Sequence, residues 1–286
     1  KLIPNLTTTV KGLIHPKSGN AVPHIVIQDL VLDGNEDAEQ SYNRIGIYCG
    51  YSYFSGHYPE KYLLRRIHVK NFLEYGINFT ANSHQFVITN CRVSNNGLDG
   101  ILIGGQCRDF YMYGNESTGN GRHGFNIYDR SYMGEIVGNR ASQNGGSGLM
   151  IQQYSYLHNI HHNHSSQNSR YGIQVFSGYG LLIEENQCVA NQQGGIGCAT
   201  DPTNLMLKKN QITDSGGSGI YLSHVKNSAV IENQIADSHA HGIRVYRSSY
   251  NYLFDNRITN SSLSENDKHT GIHVDDDQSI YSKYNV

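Results

Sequence analysis

The stretch GRHGFNIYD, residues 121–129, is one copy of a short unit that repeats along most of this 286-residue chain. Aligned on its glycine, the unit reads YGINF (75–79), DGILI (99–103), HGFNI (123–127), SGLMI (147–151), YGIQV (171–175), GGIGC (194–198), SGIYL (218–222), HGIRV (241–245) and TGIHV (270–274). Successive glycines are 23 or 24 residues apart as far as Gly242, and 29 residues separate Gly242 from Gly271. A fixed period over this many copies indicates a repeat architecture.

A second feature has the same period. Between the glycine units, a short apolar segment ends in asparagine at Asn90, Asn115, Asn139, Asn163, Asn186, Asn210, Asn233 and Asn256. Equivalent side chains in a solenoid lie directly above one another, so we predict that these amides form an internal ladder.

The residues one and three places after each glycine are apolar, whereas those two and four places after it vary. This alternation predicts a strand with one buried face. Two-residue hairpin turns are missing between the strands, so parallel stacking of equivalent strands, about 4.8 Å apart, is the way to bury one continuous core. The fold prediction is therefore all-β: a right-handed parallel β-helix. The recurring glycine suits either a positive φ or a close backbone approach.

We predict one β-helix domain over residues 1–286. Residues 1–62 would hold the first coils, with a strand pair at 24–35 and a projecting loop at 48–62. Residues 63–260 would form the regular coils, and residues 261–286 a polar insertion followed by a last, partial coil.

Charge and composition exclude several functions. The formal net charge is −2 and no run of lysine or arginine occurs, so we predict neither a nucleic-acid nor a membrane-surface partner. No apolar stretch approaches the length of a membrane span. The five cysteines lack paired C-x-x-C spacing, which gives no redox or zinc motif.

Residues two and four places after each glycine are predicted to face solvent and to line a groove for a polysaccharide. Aromatic rings stack on sugar faces, and amides bond sugar hydroxyls. The alternative is a solvated sheet face without a ligand. The candidate substrate contacts on this face and at its edges are Asn126, Tyr128, Asp129, Gln152, Arg170, Gln174, Phe176 and Tyr221.

The residues directly before the glycines form a column of their own. Tyr75, Asp99 and His123 lie in this column on consecutive coils, with Arg122 beside His123. A phenol, a carboxylate and an imidazole next to a guanidinium form the strongest candidate for a catalytic cluster.

The segments LVLDGN (30–35), NNGLDG (95–100), GRHGFNI (121–127) and GGSGLMIQ (145–152) are similar, in sequence and separation, to the catalytic module of secreted mannuronan (alginate) C5-epimerases, which are pectate-lyase-like β-helices. The resemblance runs from about Lys1 to Tyr250. It implies an extracellular protein and leads us to expect that the N-terminal capping portion of the family is missing.

The resemblance is incomplete at the family's diagnostic motif, Tyr-Gly-Phe-Asp-Pro-His. Here the matching stretch is YGINFT (75–80), in which Asn78 replaces the aspartate and Thr80 replaces the histidine. A further family carboxylate falls on Gly104. The family positions that are retained are Tyr75, Asp99, Arg122 and His123.

Epimerisation and β-elimination both begin with removal of the proton next to a uronate carboxylate. Arg122 and Asn78 would neutralise that carboxylate, His123 would be the base, and Tyr75 would protonate the leaving oxygen. Epimerisation also returns a proton to the opposite face, for which the second histidine is missing. We therefore favour a lyase that depolymerises an acidic extracellular polysaccharide.

Three alternatives stay open. A glycoside hydrolase of the phage tail-spike kind needs two carboxyls roughly 5–9.5 Å apart, for which Asp99 and Asp129 are the nearest pair and Asp109 and Asp201 more distant ones. The others are a mannuronan C5-epimerase and a glycan-binding β-helix without catalysis. The chain would be secreted or virion-associated, and we expect a homotrimer only in a virion.

We expect no required cofactor. The run Asp275, Asp276 and Asp277 offers oxygen ligands that suit Ca²⁺, although a solvated charged turn is the account we prefer. A histidine-rich run suggests zinc but lacks a cysteine or glutamate at the usual spacing. Its members are His158, His161, His162 and His164.

Overall fold

A computed structural model of the chain describes Ile14 and residues 25–34, 44–50, 60–261 and 271–275. Within these ranges the chain forms strands, turns and bends, with no helix. The strands make two sheets in which each pairs in parallel with the equivalent strands one coil away, as Phe125–Ile127 does with Ile101–Ile103 and Leu149–Ile151. This confirms the predicted parallel β-helix. The described ranges contain no helix able to span a membrane.

In the described part of the chain one sheet, called the glycine sheet below, has ten strands, nine of them in the repeat units quoted above. Its strands are Ile45–Cys49, Tyr75–Phe79, Ile101–Ile103, Phe125–Ile127, Leu149–Ile151, Tyr171–Phe176, Gly194–Ala199, Ser218–Ser223, Ile243–Tyr246 and Ile272–Asp275.

The second sheet, as far as the described residues show it, has eighteen strands and forms the other two sides of the solenoid. Two long strands, Ile25–Asp33 and Tyr62–Lys70, span both sides. The strands of the first side are Val87–Thr89, Arg108–Tyr113, Tyr132–Val137, Asn159–His161, Leu182–Glu184, Met206–Lys208, Ala229–Ile231 and Tyr252–Phe254. Those of the second side are Arg92–Ser94, Glu116–Thr118, Arg140–Ser142, His164–Ser166, Gln187–Val189, Gln211–Thr213, Gln234–Ala236 and Arg257–Thr259.

The core lies inside the coils and contains the residues that the alternation predicted. Ile77 and Phe79, one and three places after Gly76, have no exposed surface. Phe79, Phe86 and Phe110 stack in series, with ring centroids 4.0 and 5.4 Å apart. All five cysteines are buried and unpaired, so they act as small core residues.

Close backbone approach explains the recurring glycine. A Cβ on Gly76 would lie 2.8 Å from the carbonyl oxygen of Gly100, and one on Gly100 would lie 2.7 Å from that of Gly124. Neither residue has a positive φ. The next coil therefore passes too near for any side chain at this position.

The predicted amide ladder is present. Asn139 donates through its backbone N–H and its Nδ2 to Asn163 Oδ1, at 2.9 and 3.0 Å, and Asn163 donates in the same way to Asn186. The pattern continues through Asn256. Asn90 is an error in the prediction, because it is exposed with a φ of 52° and Cys91 occupies the ladder position of its coil.

A second amide ladder, which the sequence analysis missed, lies just before the glycine sheet. Here too each Oδ1 accepts the backbone N–H of the equivalent residue in the preceding coil. Its members are Asn96, Asn120, Asn144, Asn168 and Asn191. The two ladders hold adjacent corners of every coil along this stretch.

The first coils differ from the prediction. The strand Ile45–Cys49 pairs with Tyr75–Phe79 and contains Gly46, which precedes Gly76 by one coil. Residues 48 and 49 therefore belong to a strand, and the predicted loop at 48–62 begins too early. The predicted strand pair at 24–35 is a single strand, Ile25–Asp33, bent at Asp29 with a φ of 57°. The middle of that loop and most of the predicted insertion after 260 lie outside the described residues.

Replacing Asn163 by alanine should lower the free energy of unfolding by about 2–4 kcal/mol, because Asn163 joins three coils through bonds that the mutant leaves unmade. Asn90→Gly is the matched control. It removes an exposed amide at a left-handed position that glycine tolerates, and it should change stability by less than about 0.5 kcal/mol. Urea unfolding measures both. Equal effects would show that the ladder is not a main source of stability.

Candidate active site

The glycine register brings the predicted cluster together. The N–H of Gly76 donates to the carbonyl of Asp99 at 3.2 Å, and that of Gly100 donates to the carbonyl of His123 at 2.9 Å. The residues before these glycines are therefore aligned along the sheet on consecutive coils. Tyr75, Asp99 and His123 form one column, as predicted.

Asp99 is the centre of the cluster, and it is buried. Its Oδ1 accepts from Arg122 Nε at 2.8 Å and from the N–H of His123 at 3.0 Å. Its Oδ2 accepts from Arg122 Nη2 at 2.5 Å and from Asn126 Nδ2 at 2.9 Å. With four donors and no exposed surface, this carboxylate positions its neighbours and does not face solvent.

Arg122 is the accessible cation of the cluster, with 41% of its side chain exposed. The hydrogen bonds to Asp99 raise its pKa further above the ordinary arginine value. Asp99 uses two of the five N–H donors of the guanidinium, in a side-on geometry that fixes its plane. The Cζ atom lies 5.9 Å from the centre of the Tyr75 ring.

His123 is buried, and its ring nitrogens differ in role. Nδ1 accepts the backbone N–H of Ser147 at 3.0 Å, so in the neutral ring Nε2 carries the proton. Burial lowers the pKa of His123 to about 4. In this arrangement His123 is a hydrogen-bond donor, which argues against its predicted role as the base.

Tyr75 is half-buried beside Arg122. Burial raises the pKa of its phenol, and the charge of Arg122 opposes that rise. Asn78 lies three residues farther along the same strand and is buried, and its Oδ1 has no hydrogen-bond partner among the described residues. The protein therefore does not fix the orientation of this amide through its oxygen.

Several residues predicted to face solvent are buried on the outer side of the glycine sheet. Asn126 is 2% exposed and Gln174 is 5% exposed. Neighbouring tyrosine rings occupy the space that a side chain would take at two glycines of this face, Tyr128 at Gly104 and Tyr171 at Gly197. The alternation predicts which side of the sheet a residue occupies, but it does not predict this second layer.

The buried amides are bonded to one another. Asn126 Oδ1 accepts from Gln152 Nε2 at 2.9 Å, and Gln174 Oε1 accepts from the hydroxyl of Ser147 at 2.6 Å. The hydrogen-bonded chain from Asp99 through Asn126 to Gln152 thus continues across the sheet from the column of Tyr75, Asp99 and His123. Ser147 was missed by sequence reasoning, because its contact with His123 is made by its backbone.

The remaining candidates lie farther out. Arg170 is exposed, and its charge contributes to the lowered pKa of His123. Asp99 precedes the strand of its coil, whereas Asp129 follows the strand of the next coil, so the two carboxylates lie at opposite ends of the strands. Asp129 forms an ion pair with Arg130 at 3.3 Å. Phe176 ends its strand, and Tyr221 lies beside Arg244 in another part of the sheet.

The sequence offers two groups of possible metal ligands, and the described members of both groups have other partners. Among the described residues, no three His, Cys, Asp or Glu side chains are grouped as a metal site. His158 is inside the coil, where Nδ1 accepts from the N–H of Gly134 at 2.9 Å. His161 pairs with Glu135, His162 with Glu185, and His164 with Gln187. Asp275 binds Arg244 and His273, and the two aspartates after it lie outside the described residues.

With this geometry, the chain belongs to the right-handed β-helix family. The family's sequence profile, described as "Right handed beta helix region", matches residues 28–157, 75–223 and 153–286. Its description agrees with the predicted hand of the coil.

The relatives confirm the resemblance seen in the motifs. The chain is 27% identical over 138 residues to the mannuronan C5-epimerase AlgE3 of Azotobacter vinelandii, and 26% identical over 132 residues to alginate lyase 7 of the same organism. Each match covers 46% of this chain but only 7% and 15% of those proteins. The solved A-module of A. vinelandii mannuronan C-5 epimerase AlgE4 superposes with a TM-score of 0.77 at 20% identity, covering 91% of this chain and 73% of that one.

Burial of His123 and His158, each with a pKa lowered to about 4, makes the protein sensitive to acid. An unfolded histidine binds a proton below about pH 6.5, so the stabilisation is complete above that pH and is lost as the pH falls towards 4. Imidazole NMR should find both rings neutral at pH 5.5, with the His123 proton on Nε2. A His123 that titrates near pH 6.5 would contradict the site geometry.

Proposed function

We propose that this β-helix acts on an acidic, uronate-containing polysaccharide that lies across the glycine sheet, and that it cleaves the chain by β-elimination. The observation that carries the proposal is the half-exposed guanidinium of Arg122, held by the buried Asp99 next to the phenol of Tyr75. A fixed guanidinium binds a carboxylate, and a phenol beside it transfers a proton.

The names of the relatives support this class of reaction. One is a mannuronan epimerase and another an alginate lyase, so both activities occur among β-helix proteins similar to this chain. Both reactions start by removing the proton at C5 of a uronate. Neutralising the carboxylate stabilises the negative charge that develops in that step, which is the role we assign to Arg122.

The proton-transfer step follows from the hydrogen bonds of the site. His123 donates through Nε2 and helps to hold the carboxylate, with Asn78 as a supporting donor. The phenolate of Tyr75 takes the C5 proton. The electron pair of the C–H bond forms the C4–C5 double bond, the glycosidic oxygen leaves, and Tyr75 returns the proton to that oxygen.

The alternatives fit the geometry less well. A hydrolase needs a second accessible carboxyl near Asp99, but Asp99 is buried with four donors and Asp129 lies at the other end of the strand. An epimerase needs a second proton donor, and the family histidine is replaced by Thr80. We propose an extracellular location, secreted or virion-borne, and a trimer only in the second case.

Incubation with mannuronan, mixed alginate and polygalacturonate should generate unsaturated ends that absorb ultraviolet light. Tyr75→Phe should lower turnover by about 10²-fold or more, because it removes the proton-transfer group. Tyr113→Phe, an exposed phenol on the second sheet, is the matched control and should keep full activity. Binding without cleavage would indicate a glycan-binding protein, and altered sugar NMR at constant chain length would indicate an epimerase.

Turnover should rise with pH through the alkaline range. Burial holds the pKa of Tyr75 above the ordinary tyrosine value, so the phenolate fraction increases about tenfold for each pH unit below that pKa. A profile of kcat/KM against pH measures this. A maximum near pH 6–7 would assign the proton acceptor to a histidine instead.

A further inference from the structure

A second cluster with the same chemistry lies on the glycine sheet, five coils beyond His123. Parallel pairing places Tyr221, Arg244 and His273 side by side on successive strands. Tyr246 and Asp275 form the next column of the same face. Five strand spacings of about 4.8 Å put this cluster roughly 24 Å from the first.

The contacts of this cluster are specific. Arg244 Nε donates to Asp275 Oδ2 at 2.8 Å, and Nη2 forms an ion pair with the same oxygen at 2.7 Å. The Arg244 guanidinium lies 5.6 Å from the centre of the Tyr221 ring and 5.9 Å from that of Tyr246. Partial burial of Asp275 works against its charge, but the bonds from Arg244 and His273 hold its pKa below the ordinary value.

His273 and His123 differ in which ring nitrogen is hydrogen-bonded. Its Nε2 lies 2.6 Å from Asp275 Oδ1, so the carboxylate accepts the Nε2 proton and Nδ1 is the basic nitrogen of the neutral ring. The ring is 36% exposed, and the buried ring of His241 stacks on it at 4.2 Å with an angle of 10°. Carboxylate and stacking partner together fix the plane of an accessible base.

We infer that this cluster is a second uronate site, in which Arg244 binds the sugar carboxylate and Nδ1 of His273 takes the C5 proton. The C–H electron pair forms the C4–C5 double bond, and the glycosidic oxygen leaves with the phenol proton of Tyr221. Water then moves the proton from His273 to the Tyr221 phenolate. The substrate class rests on the proposed function, but the residues are independent of Arg122 and Tyr75.

Two substitutions test the site, His273→Gln and Arg244→Gln. Both are made in the Tyr75→Phe background, so that the residual cleavage of mannuronan reports on this cluster. The first should lower the residual kcat about tenfold or more with little change in KM, whereas the second should also raise KM. The matched controls on the second sheet, His164→Gln and Arg140→Gln, should keep the kinetics of the Tyr75→Phe parent. Melting temperatures establish that each variant is folded. A residual kcat that His273→Gln leaves unchanged, or a Tyr75→Phe parent without detectable cleavage, would overturn the inference.

A binding measurement separates this inference from the proposed function. If the wild type cleaves no uronate polymer, titration with a mannuronate hexasaccharide still reports on the cluster through the imidazole NMR signals of His273. A shift that Arg244→Gln abolishes and Arg122→Gln retains supports the second site. Signals of His273 that do not move at saturating hexasaccharide overturn it.

Discussion

The hydrogen bonds of the asparagine ladders constrain everything else in this protein. Each amide oxygen accepts from the backbone of the preceding coil, and inside a ladder the amide nitrogen donates to a strand carbonyl and to the next asparagine, as that of Asn163 does. Buried backbone groups at a bend would otherwise lack partners, at a cost of about 1–3 kcal/mol each. Because the ladders fix the bends coil by coil, residues 24 apart lie in register on the glycine sheet, and side chains far apart in sequence form clusters.

The sequence predicts the repetitive part of this fold well, for a physical reason. A carbonyl of the next coil approaches positions such as Gly100 too closely for a side chain, and the core requires apolar residues at alternate positions. Both constraints therefore give residue types that recur at a fixed spacing in the sequence. The errors fall where the period carries less information. Asn90 has the residue type of a ladder position but precedes that position by one residue. The ladder position of this coil is Cys91. Gly46 begins the register before the regular spacing starts.

The sequence also predicts which side chains lie together in the first cluster, but it does not predict their contacts. Alignment on the glycine identifies Tyr75, Asp99 and His123 as neighbours. It does not show that Asp99 is buried and accepts four hydrogen bonds, or that Nδ1 of His123 accepts a hydrogen bond from the backbone of Ser147. The second cluster contains the same residue types, yet there the carboxylate bonds Nε2 and the ring is accessible. The partner of each nitrogen therefore decides which histidine can accept a proton.

We propose that the glycine sheet is the face that binds the sugar. The second sheet offers a competing surface, a groove of about 540 Å³ lined by residues that include His162, Lys209 and Gln211. A crystal structure with a mannuronate oligosaccharide distinguishes the two faces. We expect sugar rings along the glycine sheet with a carboxylate on the guanidinium of Arg122 or Arg244. Sugar bound only in the groove of the second sheet would overturn the proposal.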